Sequence, residues 1–177
     1  MDYSDLELVK AIKTGDRSAL DILVRRWYPK IYGYVVKMIA DEQDAYDITQ
    51  DVFVAMMQNV QTFYPWKKFS SWLFTIAHNK CMDYFRLKRR VVLTDFADIE
   101  MSDPITLFDD IVIESIIVEN ALGRLSDVQR EVILLFYFYQ FTAREISRMT
   151  KTPLPTVKSR LLSAKHLLSK ILQEGCL

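Results

Sequence analysis

The sequence predicts an all-α protein: two small helical domains joined by an acidic linker. Three observations carry this. First, helix-start signals recur. Ser4 with Glu7, Ser126 with Gln129 and Thr142 with Glu145 each set a hydroxyl three residues ahead of a Glu or Gln, the arrangement that satisfies two orphan amides at a helix N-terminus. Second, only 4 Gly and 5 Pro occur in 177 residues, too few for a turn-rich β fold. Third, the net charge of zero hides strong segregation. Residues 1–62 hold 7 basic and 10 acidic side chains, 63–92 hold 7 and 1, 93–122 hold 0 and 8, and 123–177 hold 9 and 4. Two basic blocks thus flank an acidic one. Affinity for a polyanion follows local Lys and Arg density, not the total, although charged blocks also arise as plain solvated faces.

In chain order, Ser4 caps a first helix that Gly15 stops. Asp16 caps a second, to about Tyr28, and Pro29 suits the first turn of a third, to about Ala40. A fourth runs from about Glu42 to Val60. Residues 63–69 read as a loop broken by Pro65, and Ser70 caps a fifth helix ending near Arg90. Residues 93–110 carry six acidic side chains, Pro104 and no base, which reads as a linker with a domain boundary. The expected division is 1–92, linker 93–112, and 113–177. A helix from about Asp110 to Leu122 follows. Ser126 then opens one to about Tyr139, Thr142 opens a short one to about Met149, and Thr152 caps a last one, with Pro153 at its first position, to about Leu172.

Composition excludes several classes. Half the residues are apolar, so a packed core is available. Cys81 and Cys176 are far apart and show no CxxC spacing, which argues against a zinc site or disulfide framework and fits a reducing compartment. The acidic N-terminus lacks the apolar core of a signal peptide. The longest apolar run, Val132 to Tyr139, is eight residues, well short of the roughly 20 a membrane span needs. A cytoplasmic location is expected. His78, Cys81 and Asp83 do not converge on one helix face, and no phosphate loop or second His/Cys cluster is present, so no catalytic residue, metal, cofactor or small-molecule substrate is assigned.

Three constellations point to binding. The short helix, tight turn and longer helix at 142–172 form a helix-turn-helix pattern. In the last helix Val157, Leu161, Ala164, Leu168 and Ile171 share one face. The opposite face presents Ser159, Leu162, Ser163 and His166 beside Lys158 and Lys165, side chains able to touch base edges, a thymine methyl and phosphates. Arg160 lies nearer the apolar edge. In the fourth helix Asp44, Asp47 and Asp51 share a face beside Ile48, Val52 and Met56, an acidic-rimmed apolar stripe suited to a basic partner helix. Between 63 and 69 aromatics interleave with Lys: Tyr64, Trp66, Lys67, Lys68 and Phe69 suit single-stranded DNA, where bases stack on rings. Asn79, Asp83, Arg86 and Arg90 form one stripe of the fifth helix, with Lys80 beside it. Asn79 can read a base edge, Arg86 and Arg90 can hold phosphates, and Asp83 can orient Arg86 or act on a base. Trp72, Ile76 and Tyr84 are assigned to the core.

These segments resemble one family. LSDVQREVILLFYFYQFTAREISRMTKTPLPTVKSRLLSAKHLLSK, residues 125–170, resembles region 4 of extracytoplasmic-function (ECF) sigma factors of the sigma-70 family, most sharply at TVKSRL. The resemblance implies −35 duplex recognition by Thr156, Lys158, Ser159, Leu162 and Ser163. Two positions depart from the pattern: Lys151 stands where a turn usually has Gly, and Ser163 where members often have Arg. DAYDITQDVF, residues 44–53, is similar to region 2.2 and implies that Asp47, Gln50, Asp51 and Phe53, with Asp44, bind the β′ coiled coil of core RNA polymerase. FSSWLFTIAHNKCMDYFRLKRR, residues 69–90, resembles regions 2.3 and 2.4, which melt and read the −10 element and capture a base flipped from the non-template strand. The resemblance covers about 5–91 and 113–172. It implies a non-enzymatic initiation factor that contacts the polymerase β′ and β subunits. Its other partners would be duplex and melted promoter DNA and an anti-sigma factor, which could hold it at the membrane. The acidic linker would thread toward the polymerase active centre, or serve as a simple tether. A free-standing helix-turn-helix regulator is the alternative, but it would need neither the acidic helix nor the aromatic–basic loop. The mean hydropathy of +0.03, high for a small DNA-binding protein, agrees with apolar surface reserved for partners.

Overall fold

The computed structural model describes residues 3–39, 41–66, 68–94, 118 and 120–174, with the backbone alone at 90–94 and 174. Its helices are α1 (Asp5–Lys13), α2 (Arg17–Ile39), α3 (Glu42–Asn59), α4 (Phe69–Thr94), α5 (Asp127–Ile133), α6 (Ala143–Met149) and α7 (Leu154–Glu174). A 3₁₀ turn, Val60–Thr62, ends α3, and a π-helical turn, Leu134–Phe138, ends α5. No strand occurs among the described residues, and no helix of theirs is long and apolar enough to cross a membrane. Residues 120–123 are helical. The rest of the expected helix from Asp110, and the acidic linker with its boundaries, lie largely outside the described residues.

The three capping boxes form as expected. Ser4 Oγ accepts from the Glu7 amide at 3.3 Å while Glu7 accepts from the Ser4 amide at 2.8 Å. Ser126 with Gln129 and Thr142 with Glu145 repeat the exchange. Gly15 ends α1 at φ 95°, a left-handed conformation that glycine adopts at no steric cost. Lys151 occupies the helix-turn-helix turn at φ 51°, where a side chain costs about 1 kcal/mol.

Four boundaries differ from expectation. Pro29 does not separate two helices: it lies inside the continuous α2. A proline there removes one hydrogen bond and crowds the carbonyl four residues earlier, at about 3 kcal/mol. Apolar burial on both sides of it outweighs that cost. Leu23, Ile31, Tyr34, Val35 and Met38 are all fully buried along the helix, and each such side chain contributes about 1.5–3 kcal/mol. Ser70 does not cap α4, because the helix already starts at Phe69, whose ring is buried. α4 also runs on to Thr94, past the expected end near Arg90. Thr152 does not cap α7 either. Its hydroxyl donates to the Thr150 carbonyl at 3.3 Å, and the Val157 amide meets the Pro153 carbonyl at 3.0 Å.

Helices α1 to α4 form the N-terminal unit. Trp27 meets the edges of Phe69 and Phe74 at 5.8 and 6.5 Å, and Phe63, Phe69 and Trp72 pack together at the root of the following loop. Thr49, fully buried, satisfies its hydroxyl on the Ala45 carbonyl one turn back at 2.7 Å. Lys13 of α1 donates to the Gln61 and Phe63 carbonyls at 3.0 and 2.7 Å, tying α1 to that same root. Helices α5 to α7 form the C-terminal unit around Leu134, Leu135, Ile146, Val157 and Ala164. The two units share one continuous apolar core: Phe74 of α4 stands 5.1 Å from Phe141 and 4.6 Å from Tyr139.

Candidate functional site

The aromatic–cationic loop is held by its buried ends and open at its tip. Phe63 and Phe69 are 3% and 5% exposed, whereas Tyr64 and Trp66 are 52% and 77% exposed and stack at 4.6 Å. Phe69, expected to meet DNA, therefore belongs to the core. It opens α4 and turns inward against Trp27 and Trp72. Lys67 and the Arg90 side chain lie outside the described residues. Lys68 Nζ reaches Glu145 of α6 at 2.8 Å, and this hydrogen bond is the main cause that lowers the Glu145 carboxyl to about 2. Beside the pair opens a cleft of about 610 Å³ lined by Trp66, Lys68, Trp72, Glu145, Arg148 and Met149.

The exposed side of α4 keeps the expected stripe. Asn79, Asp83 and Arg86 all face solvent, and Arg86 pairs with Asp83 at 3.2 Å, as anticipated for an orienting carboxylate. Asn79, Lys80 and Asp83 border a shallow groove with Trp72 and Ile76. Lys80 reaches Asp51 of α3 at 3.0 Å. Tyr84, expected in the core, is half-buried against it and donates to Asp44 at 2.7 Å and accepts from Lys88 at 2.9 Å. Burial pushes the Tyr84 hydroxyl up, and the bond to Tyr84 raises Lys88.

On α3 the structure redraws the expected partner face. Asp47, Gln50 and Asp51 are exposed, but Asp44 is half-buried. Phe53 is only 6% exposed and stacks on Tyr28 at 5.8 Å, so it is unavailable to a partner. Val52 and Met56 are fully buried too: the apolar residues beside the aspartates line the core. The apolar side chains that do accompany Asp47 and Gln50 outward are Tyr46, Val54 and Met57, each between 43% and 46% exposed. Tyr46, Gln50, Val54 and Met57 follow one another at four-, four- and three-residue spacing, a helical stripe adjacent to that of the aspartates.

In α7, Val157 and Ala164 are fully buried and Leu161, Leu168 and Ile171 half-buried, so the helix seats on the face expected. Lys158, Ser159, Leu162, Ser163, Lys165 and His166 face solvent, with Leu162 60% exposed. Thr156 is half-buried. Arg160 turns toward the edge and reaches the Thr152 hydroxyl at 3.5 Å. Ser163 accepts from Gln129 of α5 at 3.2 Å, which steadies it from below.

Sequence reading missed one group altogether. Glu131, 2% exposed, reaches out of α5 and meets Tyr34 of α2 and His78 of α4. Its only signal was a lone carboxylate within an apolar stretch, facing a lone histidine in another.

A helix-turn-helix with a polar open face, on the same chain as a second helical unit with a stacked aromatic loop and a cationic helix, defines a two-unit DNA-binding protein. Comparison with known proteins narrows the class. Residues 23–91 match the model of Sigma-70 region 2, and residues 115–168 match Sigma-70, region 4. The chain is 29% identical over 179 residues to the ECF RNA polymerase sigma factor SigW of Bacillus subtilis, covering 94% of this chain and 95% of that one. It is 30% identical over 161 residues to the ECF RNA polymerase sigma factor RpoE of Cereibacter sphaeroides, covering 87% of each. Among solved structures, the sigma factor RpoE of Bartonella quintana, crystallised with the anti-sigma factor NepR, superposes with a TM-score of 0.76 at 23% identity, over 85% of this chain and 94% of that one, a likeness of fold. The chain belongs to the sigma-70 family, as an RNA polymerase sigma factor of the ECF group.

Proposed function

We propose that residues 1–92 bind core polymerase and the melted −10 strand, that residues 113–177 read the −35 duplex, and that 93–112 link the two. The observation that carries this reading is the Tyr64–Trp66 stack, exposed on a loop whose ends are buried and which leads into α4. Rings fixed at their root and open at the tip can accept unstacked bases at little ordering cost, and a few kcal/mol of unstacking is recovered by the new stack. Asn79 would read a base edge, Arg86 and Arg90 would hold phosphates with Lys67, Lys68 and Lys80, and Asp83 would orient Arg86. On α7, Ser159, Leu162, Ser163 and His166 would meet base edges, with Lys158 and Lys165 on phosphates and Thr156 and Arg160 at the margin. Asp47, Gln50 and Asp51, flanked by Tyr46, Val54 and Met57, would form the polymerase-docking face.

In this reading the protein acts without chemistry of its own. It lowers the barrier to strand opening by binding separated strands, while the polymerase makes RNA. It works in the cytoplasm, and an anti-sigma factor would hide the same surfaces; the sigma factor RpoE of Bartonella quintana is itself found in complex with one. The test is run-off transcription with core polymerase and a promoter library. Initiation from a subset of promoters sharing −35 and −10 motifs is expected; initiation no different from core polymerase alone overturns the reading.

A further inference from the structure

The described fold places the C-terminal unit against the N-terminal one through a contact built like a lock. Glu131 is 2% exposed, and its carboxylate takes the Tyr34 hydroxyl at 3.1 Å and the His78 ring nitrogen Nδ1. A carboxylate so deeply buried is tolerated only when its partners are in place, and these partners come from the other unit. Burial, then the nearby Glu131, pushes the Tyr34 hydroxyl well up, so it stays a donor. Next to it the Arg130 guanidinium spans the boundary. It gives Nη1 to the Met38 carbonyl at the end of α2 at 2.9 Å, and Nε to the Leu122 carbonyl at 3.0 Å. Tyr139 fits edge-on to Tyr34 at 5.9 Å, over Gly33, where an added Cβ would stand 3.5 Å from the Tyr139 hydroxyl.

Around this lock the charges are arranged to a second effect. Lys68 of the aromatic loop lies on Glu145 at 2.8 Å, and Arg89 near the end of α4 lies on Asp127 at 3.2 Å. Lys68 is one of the cations proposed above to hold phosphates, Arg89 lies in sequence beside Arg90 of the same set, and both carboxylates belong to the C-terminal unit. Glu145 and Asp127 thus stand where phosphate oxygens would.

Geometry makes this state incompatible with the full reading of a promoter. A compact chain of this length has a radius of gyration of about 16 Å. Elements centred near −35 and −10 are roughly 25 base pairs apart, on the order of 80 Å at about 3.4 Å per pair. The closed chain cannot touch both.

We propose that Glu131, held by His78 and Tyr34, latches the free chain shut, and that in this state Glu145 and Asp127 occupy the strand-binding cations as intramolecular stand-ins for DNA. Opening exposes those cations and frees the two units to reach separated elements, so the free protein binds stray single strands weakly. The masking half of this proposal rests on the single-strand reading of the loop; the latch itself does not.

The full-length chain tests both halves. Cys176→Ser removes the other cysteine of the sequence, Cys81 is buried, and spin labels at Arg17→Cys and Ser169→Cys report the distance between the units. Affinity for a fluorescein-labelled single-stranded oligonucleotide is read by anisotropy, and far-UV ellipticity checks the fold. The unaltered chain should give one narrow, short distance. Glu131→Lys should give a longer, broader one and bind the strand about tenfold more tightly, because apparent affinity scales with the open fraction. Asp127→Asn with Glu145→Gln keeps the capping box, which accepts Gln, and should tighten strand binding several-fold even if Glu131→Lys does not fold. A broad, long distance in the unaltered chain overturns the latch. A folded Glu131→Lys chain that stays closed does the same. Measurable strand binding that neither variant changes overturns the masking. If no form binds the strand, it is the reading of the loop that has failed, and the distances still decide the latch.

Discussion

Replacing Trp66 by Ala should separate recognition from stability. The ring is 77% exposed, so folding removes less than a quarter of its surface from water. For a side chain that buries at most about 250 Å², that is roughly 50 Å², or about 1 kcal/mol at 25 cal/mol/Å². This is an upper figure, since the unfolded chain is itself partly collapsed. A base stacked on an aromatic side chain contributes about 1–3 kcal/mol. Tyr64, 4.6 Å away, can still offer a ring, so the lower part of that range applies. Strand affinity should therefore fall on the order of tenfold. The fall should appear as an increased Kd for a fluorescent single-stranded oligonucleotide at fixed salt, with the urea midpoint nearly unchanged. Trp66→Phe should recover most of the loss. If Trp66→Ala binds within twofold of the unaltered chain, the loop does not stack bases. If it unfolds instead, the ring is structural and its exposure is no guide to its role.

Three further outcomes follow from the geometry. Lys158→Ala should weaken duplex binding to the same degree on every sequence and lower the slope of log affinity against log salt by about one, because an exposed lysine holds phosphate rather than a base edge; a loss confined to one sequence would contradict this. Lys151→Gly should raise the urea midpoint by an amount equivalent to about 1 kcal/mol, relieving the side chain at φ 51°, and an unchanged midpoint would refute strain there. Glu145, lowered from 4.5 to about 2 chiefly by Lys68, contributes stability that is present above its ordinary pKa and is lost as pH falls through about 2. With Lys68 73% exposed the contribution is at most about 1 kcal/mol, and Lys68→Ala should bring the Glu145 titration, followed by carboxyl NMR, back toward its usual range.

Local signals were the most legible part of the chain. Capping boxes, the left-handed Gly15 and Lys151, and the seating of α7 depend on a few neighbouring residues, and each formed as read. Pro29 misled because its local cost was weighed without the core that α2 spans on both sides of it. Phe53 and Phe69 misled for a related reason. A polar or basic setting in sequence suggests exposure, but their direction is set by helix phase: Phe53 lies about 200° round the helix from Asp51 at 100° per residue, which turns it to the core. The exposed Tyr46, Val54 and Met57 are the other side of the same error. Glu131 was not legible, because its partners Tyr34 and His78 lie 97 and 53 residues away and no periodicity joins them.

One small contact bears on how the molecule can be divided. The region 2 match begins at residue 23, so α1 falls before it. Yet Lys13, near the end of α1, supplies the ammonium that holds the Gln61 and Phe63 carbonyls from which the aromatic loop springs. A shortened protein trimmed to the matched segment would keep every residue proposed to touch the −10 strand and lose the mooring that aims them. Its failure to grip a strand would then report a slack rope, not a missing hand.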